Sequence, residues 1–98
     1  MNPKKLMKQM NAMQEQMQRQ LADTVIEATA GGGMVTVKMN GHKEVLDLKL
    51  DPEAVDPEDV EMLQDLIMSA LGEAHRRADE AMQGALGGML PPGMAGLF

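Results

Sequence analysis

The stretch LMKQMNAMQEQMQRQL, Leu6 to Leu21, sets the tightest limit on how this chain can fold. Leu6, Met10, Met13 and Met17 recur at steps of four, three and four, which draws a narrow apolar stripe along one side of a helix. Gln9, Gln14, Gln16, Gln18 and Gln20 surround the stripe, and Lys4, Lys5 and Lys8 lead it. Such a helix buries little of itself against its own domain. It needs a partner, which can be protein, nucleic acid or a lipid surface. Asn2 is placed to cap the helix and Pro3 to open it, because a missing N–H costs nothing at the first helical position. The helix is expected over residues 3–22. Lysines at a helix start oppose the macrodipole, so a purely structural role for all three is unnatural. The stripe spans about two heptads, short of a free-standing coiled coil. Leu6, Met10, Met13 and Met17 are therefore assigned to a subunit contact.

Beyond Ala22 the period changes. Thr24 to Ala30 is rich in β-branched residues and reads as a strand. Gly31-Gly32-Gly33 then allows turn conformations closed to other residues. From Met34 to Met39 the chain alternates, with Val35, Val37 and Met39 on one face and Thr36 and Lys38 on the other. Asn40-Gly41 predicts a two-residue hairpin turn. Leu46, Leu48 and Leu50 alternate with Asp47 and Lys49 in a third strand. The expected result is an antiparallel meander with one apolar and one wet face.

A second helix is expected to cover that apolar face. Asp56 would cap it, Pro57 would open it, and Val55 and Val60 would form a hydrophobic staple. Val60, Leu63, Ile67, Ala70, Leu71, Ala74, Ala78 and Ala81 give it a broad apolar side. Gly84, Gly87 and Gly88 predict its end near Met82. Gly72, inside the helix, is read either as a close helix crossing, at a subunit contact, or as chance. The fold class is α+β, with a domain over residues 1–83 and a Gly/Met/Pro-containing tail over 84–98. That tail is either a loose end or, given its apolar Leu86, Met89, Leu90, Met94, Leu97 and Phe98, a docking segment.

Charge is unevenly spread. The chain carries −6 overall, which opposes phosphate binding. Yet residues 1–22 hold Lys4, Lys5, Lys8 and Arg19 against Glu15 alone. Residues 51–65 hold seven acids and no base, so the rest of the chain is close to neutral. The two ends can see different partners. A binder of double-stranded nucleic acid needs only lysines and arginines set along the backbone, whereas single-strand readers stack nucleobases on aromatics, and Phe98 is the one aromatic residue here. Arg76 and Arg77 form the other basic doublet, but Glu73 and Glu80 stand at helix-pair spacing from them.

Catalytic and metal-binding patterns are absent from the sequence. His42 and His75 lack metal-ligand spacing, there is no cysteine, and the acids of 51–65 do not follow a calcium loop. No nucleophile has a base at motif spacing. The expectation is a non-enzyme with no cofactor and no small-molecule substrate. No apolar run reaches the roughly 18 residues of a membrane span, and Lys4 and Lys5 are not followed by a signal-peptide core. Three lysines without an aromatic anchor also make a poor membrane-surface helix.

Several segments in order resemble the YbaB/EbfC family of bacterial nucleoid-associated proteins. They are LMKQMNAMQEQMQ, the glycine turn followed by MVTVKMNG, the strand ending LKLDPEAV, the helix EMLQDLIMSALGEAHRRADE, and Leu90-Pro91-Pro92-Gly93. The resemblance implies a homodimer of tweezer-like shape in the bacterial cytoplasm. It also implies double-stranded DNA binding with little sequence preference, a nucleoid location, and influence on nucleoid organisation or gene expression. DNA contact in the family is attributed to the projecting helical parts. By position, Lys4, Lys5, Lys8 and Arg19 match the first helix and Arg76 and Arg77 the second. The chain departs from that pattern in having no base after Arg77. From residues alone a rival reading stays open: a protein-interaction module using the Met-rich helix and the acidic block.

Overall fold

Strand alternation through residues 25–50 builds the meander that the sequence predicts. The computed structural model describes residues 2–89, with side chains through residue 84. Its elements are α1 (Pro3–Asp23), β1 (Val25–Ala30), β2 (Val35–Asn40), β3 (Val45–Leu50), a 3-10 turn (Pro52–Ala54) and α2 (Val60–Met89). The sheet is antiparallel in the order β1-β2-β3. Ile26 pairs with Met39, Ala28 with Val37 and Ala30 with Val35, so these residues share one face. Across the next ladder Val37 pairs with Leu48 and Val35 with Leu50, which places both leucines on that same face.

Only part of that face is covered. α2 lies over β1 and β2. Ala70, Ala74 and Ala78 recur every fourth residue along it and are fully buried against Val35, Val37 and Met39. Alanine at this spacing lets the helix axis come close to the sheet. Leu63, Leu66, Ile67, Leu71 and Ala81 flank the contact. β3 remains bare: every one of its residues is exposed, including Val45, Leu46, Leu48 and Leu50. A bulge between Lys38 and Met39 adds to this, since Met39 pairs with Val45 and Lys38 with Asp47, leaving Leu46 as the extra residue.

Both turns show why glycine stands where it does. Gly31, Gly32 and Gly33 have φ of +64°, +69° and +96°, as the triple glycine predicts. The β2–β3 turn is not the expected two-residue hairpin. Lys43 N–H donates to Asn40 O and Asn40 N–H to Glu44 O, with Lys43 at φ +67°. This is a three-residue loop whose last residue is left-handed. The Asn40 carboxamide oxygen accepts from the N–H groups of His42 and Glu44, which stabilises the longer loop.

The second helix also starts and ends differently from the expectation. Asp56 caps only a turn, accepting from Glu58 N–H. Asp59 accepts from Met62 N–H three residues on, the geometry of an N-cap, and the helix begins at Val60. Val55 and Val60 are half exposed and form no buried staple. The helix passes the predicted stop at Met82 and runs through Gly84, Gly87 and Gly88 to Met89. Glycine lowers helix propensity by about 1 kcal/mol yet keeps its N–H, so alone it does not end the ladder. Gly72 is exposed, and an added Cβ would meet nothing within 4 Å, so no close crossing occupies it within this chain. Leu90, Met94, Leu97 and Phe98 of the expected docking tail lie outside the described residues, as do the side chains of Leu86 and Met89.

α1 projects from this body. The molecule measures 67 × 25 × 16 Å, and its radius of gyration is 18.6 Å. A compact chain of this length would have a radius near 13 Å. The longest element, α2, accounts for only about 45 Å at 1.5 Å per residue. The remaining length requires α1 to extend past the sheet, and Leu21 is its one buried residue among those described.

Candidate nucleic-acid interface

The candidate interface is the free end of α1. Asn2 caps it, its side-chain oxygen accepting from Lys4 N–H at 3.0 Å, and Pro3 opens it, as expected. No acidic residue stands in the first turn. Lys4, Lys5 and Lys8 are exposed, and no carboxylate among the described residues lies within ion-pair distance of them. The unsatisfied N–H groups at this helix end add positive potential to the three ammonium groups. The result is a cationic tip, favourable to phosphate and unfavourable to a packed structural role.

The remaining bases are placed differently. Arg19 is exposed and lies 4.0 Å from Glu15, one turn back on α1. Arg76 is held from both sides, by Glu73 at 2.6 Å and by Glu80. Arg77 donates to Glu73 at 3.0 Å and to the backbone oxygen of Glu27 at 2.6 Å, which ties α2 to the edge strand β1. The hydrogen bonds of Arg76, then those of Arg77, hold the Glu73 carboxyl down at about 2, and Glu73 in turn raises Arg76 further above the usual arginine range. Both arginines are therefore engaged within the protein. Lys43 pairs with Asp79 at 2.6 Å and fastens the β2–β3 turn to α2. Lys38 and Lys49, which belong to no basic cluster in the sequence, lie on the outward sheet face. There Lys38 stands opposite Glu27 and Asp47, and Lys49 opposite Thr36. Cross-strand acids leave that face without a one-signed field.

The apolar stripe runs along the same helix. Leu6, Met10 and Met13 are exposed and Met17 is partly buried. Met10, Met13 and Met17 line a shallow groove of about 300 Å³ with Asn11 and Gln14. Among the described residues there is no cluster of three or more potential metal ligands, and no helix is long and apolar enough to cross a membrane.

The model of the YbaB/EbfC DNA-binding family matches residues 1–94. The chain belongs to the YbaB/EbfC DNA-binding family. A nucleoid-associated protein of Acidobacterium capsulatum is 56% identical, over 96% of this chain and 99% of that protein. Another from Chloroflexus aurantiacus is 51% identical, over 91% of this chain and 96% of its own. The crystal structure of an uncharacterized protein from Helicobacter pylori superposes with a TM-score of 0.70 at 33% identity, covering 87% of this chain and 99% of that one. Family membership extends through residue 94, beyond the last described residue of α2.

Proposed function

We propose that this YbaB/EbfC protein is a nucleoid-associated protein of the bacterial cytoplasm. It binds double-stranded DNA with little sequence preference and shapes nucleoid organisation or gene expression, bending the duplex where two arms engage it. The observation that carries this reading is the lysine cluster on a projecting helix end, without an acidic partner among the described residues, in a chain whose body is acidic. Lys4, Lys5 and Lys8 are the principal phosphate contacts, and Arg19 adds to them along α1. Arg76 and Arg77 are secondary contacts, because each must exchange a carboxylate for a phosphate. Ammonium-to-phosphate contacts carry no base information, which accounts for weak sequence preference.

The functional unit in this reading is a homodimer. β3 is an edge strand with Leu48 and Leu50 exposed on the face that α2 fails to cover. An open, apolar edge of this kind is a template for a second copy. Leu6, Met10, Met13 and Met17 extend the contact along α1. The rival reading, a protein-docking module that never touches DNA, draws on the same methionine groove and on the acidic block.

A salt titration separates the two readings. DNA affinity measured by fluorescence anisotropy on duplexes of unrelated sequence should fall linearly on a logarithmic plot against salt, with similar slopes. Absence of binding even at low salt, together with a stoichiometric protein partner recovered after nuclease treatment, would establish the rival.

A further inference from the structure

Among the described residues, the hydrogen bonds and the buried side chain that fix α1 to the body lie in its last turns. Leu21 is buried beneath the β2–β3 turn. Gly41 N–H donates to Leu21 O at 2.7 Å. His42 Nε2 lies 3.0 Å from Gln18 O, and since a carbonyl only accepts, the ring nitrogen donates. The neutral Nε2–H tautomer and the imidazolium can both make this bond. Thr24 closes the helix, its N–H and hydroxyl both donating to Gln20 O. From Gln18 back to Pro3 the helix extends about 22 Å without comparable support from the described residues of its own protomer. A tilt of ~20° at the root therefore moves the lysine tip by ~8 Å.

Gly41 stands at the fulcrum. Its φ is not among the positive ones, so the turn does not require glycine there. What requires it is Leu21. A Cβ on Gly41 would stand 2.8 Å from Leu21 Cδ2, 2.8 Å from Leu21 O and 3.0 Å from Leu21 Cα. The leucine side chain can rotate away, but the carbonyl and Cα cannot, unless α1 itself shifts.

We propose that Gly41 and His42 are positioning residues for DNA binding: together they set the angle at which α1 leaves the sheet, and so where Lys4, Lys5 and Lys8 fall. This rests on the reading that the tip of α1 meets phosphate. The turn has no contact with DNA in this arrangement and acts through the helix root. It is fastened in turn to α2 by the Lys43–Asp79 pair. The arm angle is thus referred to the helix that packs the core, through a short chain of direct contacts.

The chain has no cysteine, so labels can be placed at will. Spin labels at Gln9→Cys on α1 and Thr29→Cys on the sheet, diluted with unlabelled protein, report the arm angle by pulsed dipolar spectroscopy. Gly41→Ala should shift the distance distribution by several ångströms. It should also weaken duplex binding roughly tenfold and flatten the salt slope, while helical circular dichroism is retained. His42→Ala should broaden the distribution, and His42→Gln, which still offers an N–H to Gln18 O, should restore it. The histidine pair keeps the test decisive if Gly41→Ala fails to fold. An unchanged distribution in folded Gly41→Ala, or in His42→Ala where Gly41→Ala does not fold, overturns the proposal whether or not the protein binds DNA. A shifted arm with unaltered affinity overturns the link between arm angle and DNA. Failure of the unmodified protein to bind duplex at low salt would instead overturn the reading of the tip.

Discussion

α1 and α2 are both long and amphipathic, yet they relate to the sheet in opposite ways. α2 runs 30 residues and presents Ala70, Ala74 and Ala78, three side chains small enough to bring the backbone down onto Val35, Val37 and Met39. α1 runs 21 residues and presents Leu6, Met10, Met13 and Met17, which are long, flexible and mostly exposed. The small-residue row accompanies burial inside the chain, and the methionine row stays open to something outside it. Charge follows the same division. The bases on α2 are already paired with its own acids, whereas those at the start of α1 have no acidic partner among the described residues.

The largest expected effect contrasts two methionines. Met39→Ala removes a fully buried side chain from beneath α2 and should cost about 2–5 kcal/mol in urea unfolding. Met13→Ala, on the exposed stripe, should cost under about 0.5 kcal/mol in dilute protein. If the stripe joins two subunits, the Met13→Ala effect will grow with protein concentration. Equal costs for the two at all concentrations would break the contrast between the helices.

Next comes the bare strand. Leu48→Glu with Leu50→Glu places two carboxylates on the uncovered face of β3, outside the core of the protomer. If β3 joins two copies, light scattering should show a smaller particle than for the unmodified chain, while the unfolding free energy extrapolated to low concentration changes little. A dimer that persists would move the subunit contact from the sheet to α1.

The lysine tip gives the third test. Changing Lys4, Lys5 and Lys8 together to Gln should flatten the logarithmic salt slope of duplex binding by about 2.7 for each arm that engages the duplex, at roughly 0.9 for each phosphate that is no longer neutralised. Stability should hold or rise slightly, because the helix start sheds three charges of the wrong sign for its dipole. An unchanged slope would mean that the phosphates are met elsewhere, with Arg19, Arg76 and Arg77 the next to substitute.

Much of this arrangement is legible in the sequence, because most elements follow a single period. The alternation through Val35, Val37 and Met39 and the fourfold spacing of Ala70, Ala74 and Ala78 identify the two surfaces that form the core. The unpaired lysines are legible too, since the neighbouring residues contain no acid. Other features depend on distance along the chain or on competition. Leu48 and Leu50 alternate as a buried strand would, but their exposure follows from where α2 lies across the sheet, which their own spacing does not encode. Asp56 and Asp59 are both competent caps. Asp56 closes a turn onto Glu58 and leaves the helix to Asp59. Asn40-Gly41 reads locally as a tight hairpin. Gly41 is instead required by Leu21, twenty residues earlier, and His42 by Gln18. Both needs arise only once α1 returns against the turn.

The smallest effect concerns Glu73, and it decides whether α2 shares in DNA binding. Arg76, then Arg77, holds its carboxyl at about 2, against an ordinary value of 4.5. A carboxyl lowered on folding contributes stability above pH 4.5, and that contribution disappears as the pH falls toward 2. The side chain is partly open to solvent, which screens the interaction and keeps the gain small. Thermal unfolding should place the unmodified chain slightly above Glu73→Gln at pH 6, with the two converging by pH 2. The same variant at pH 7 releases Arg77 from its carboxylate and leaves Arg76 with Glu80 alone. Duplex affinity should then rise a few-fold, with a steeper salt slope, if these arginines meet phosphate once freed. Should the slope stay as it was, binding belongs to α1, and the arginines of α2 serve to hold the helix to Glu27 and to its own acids.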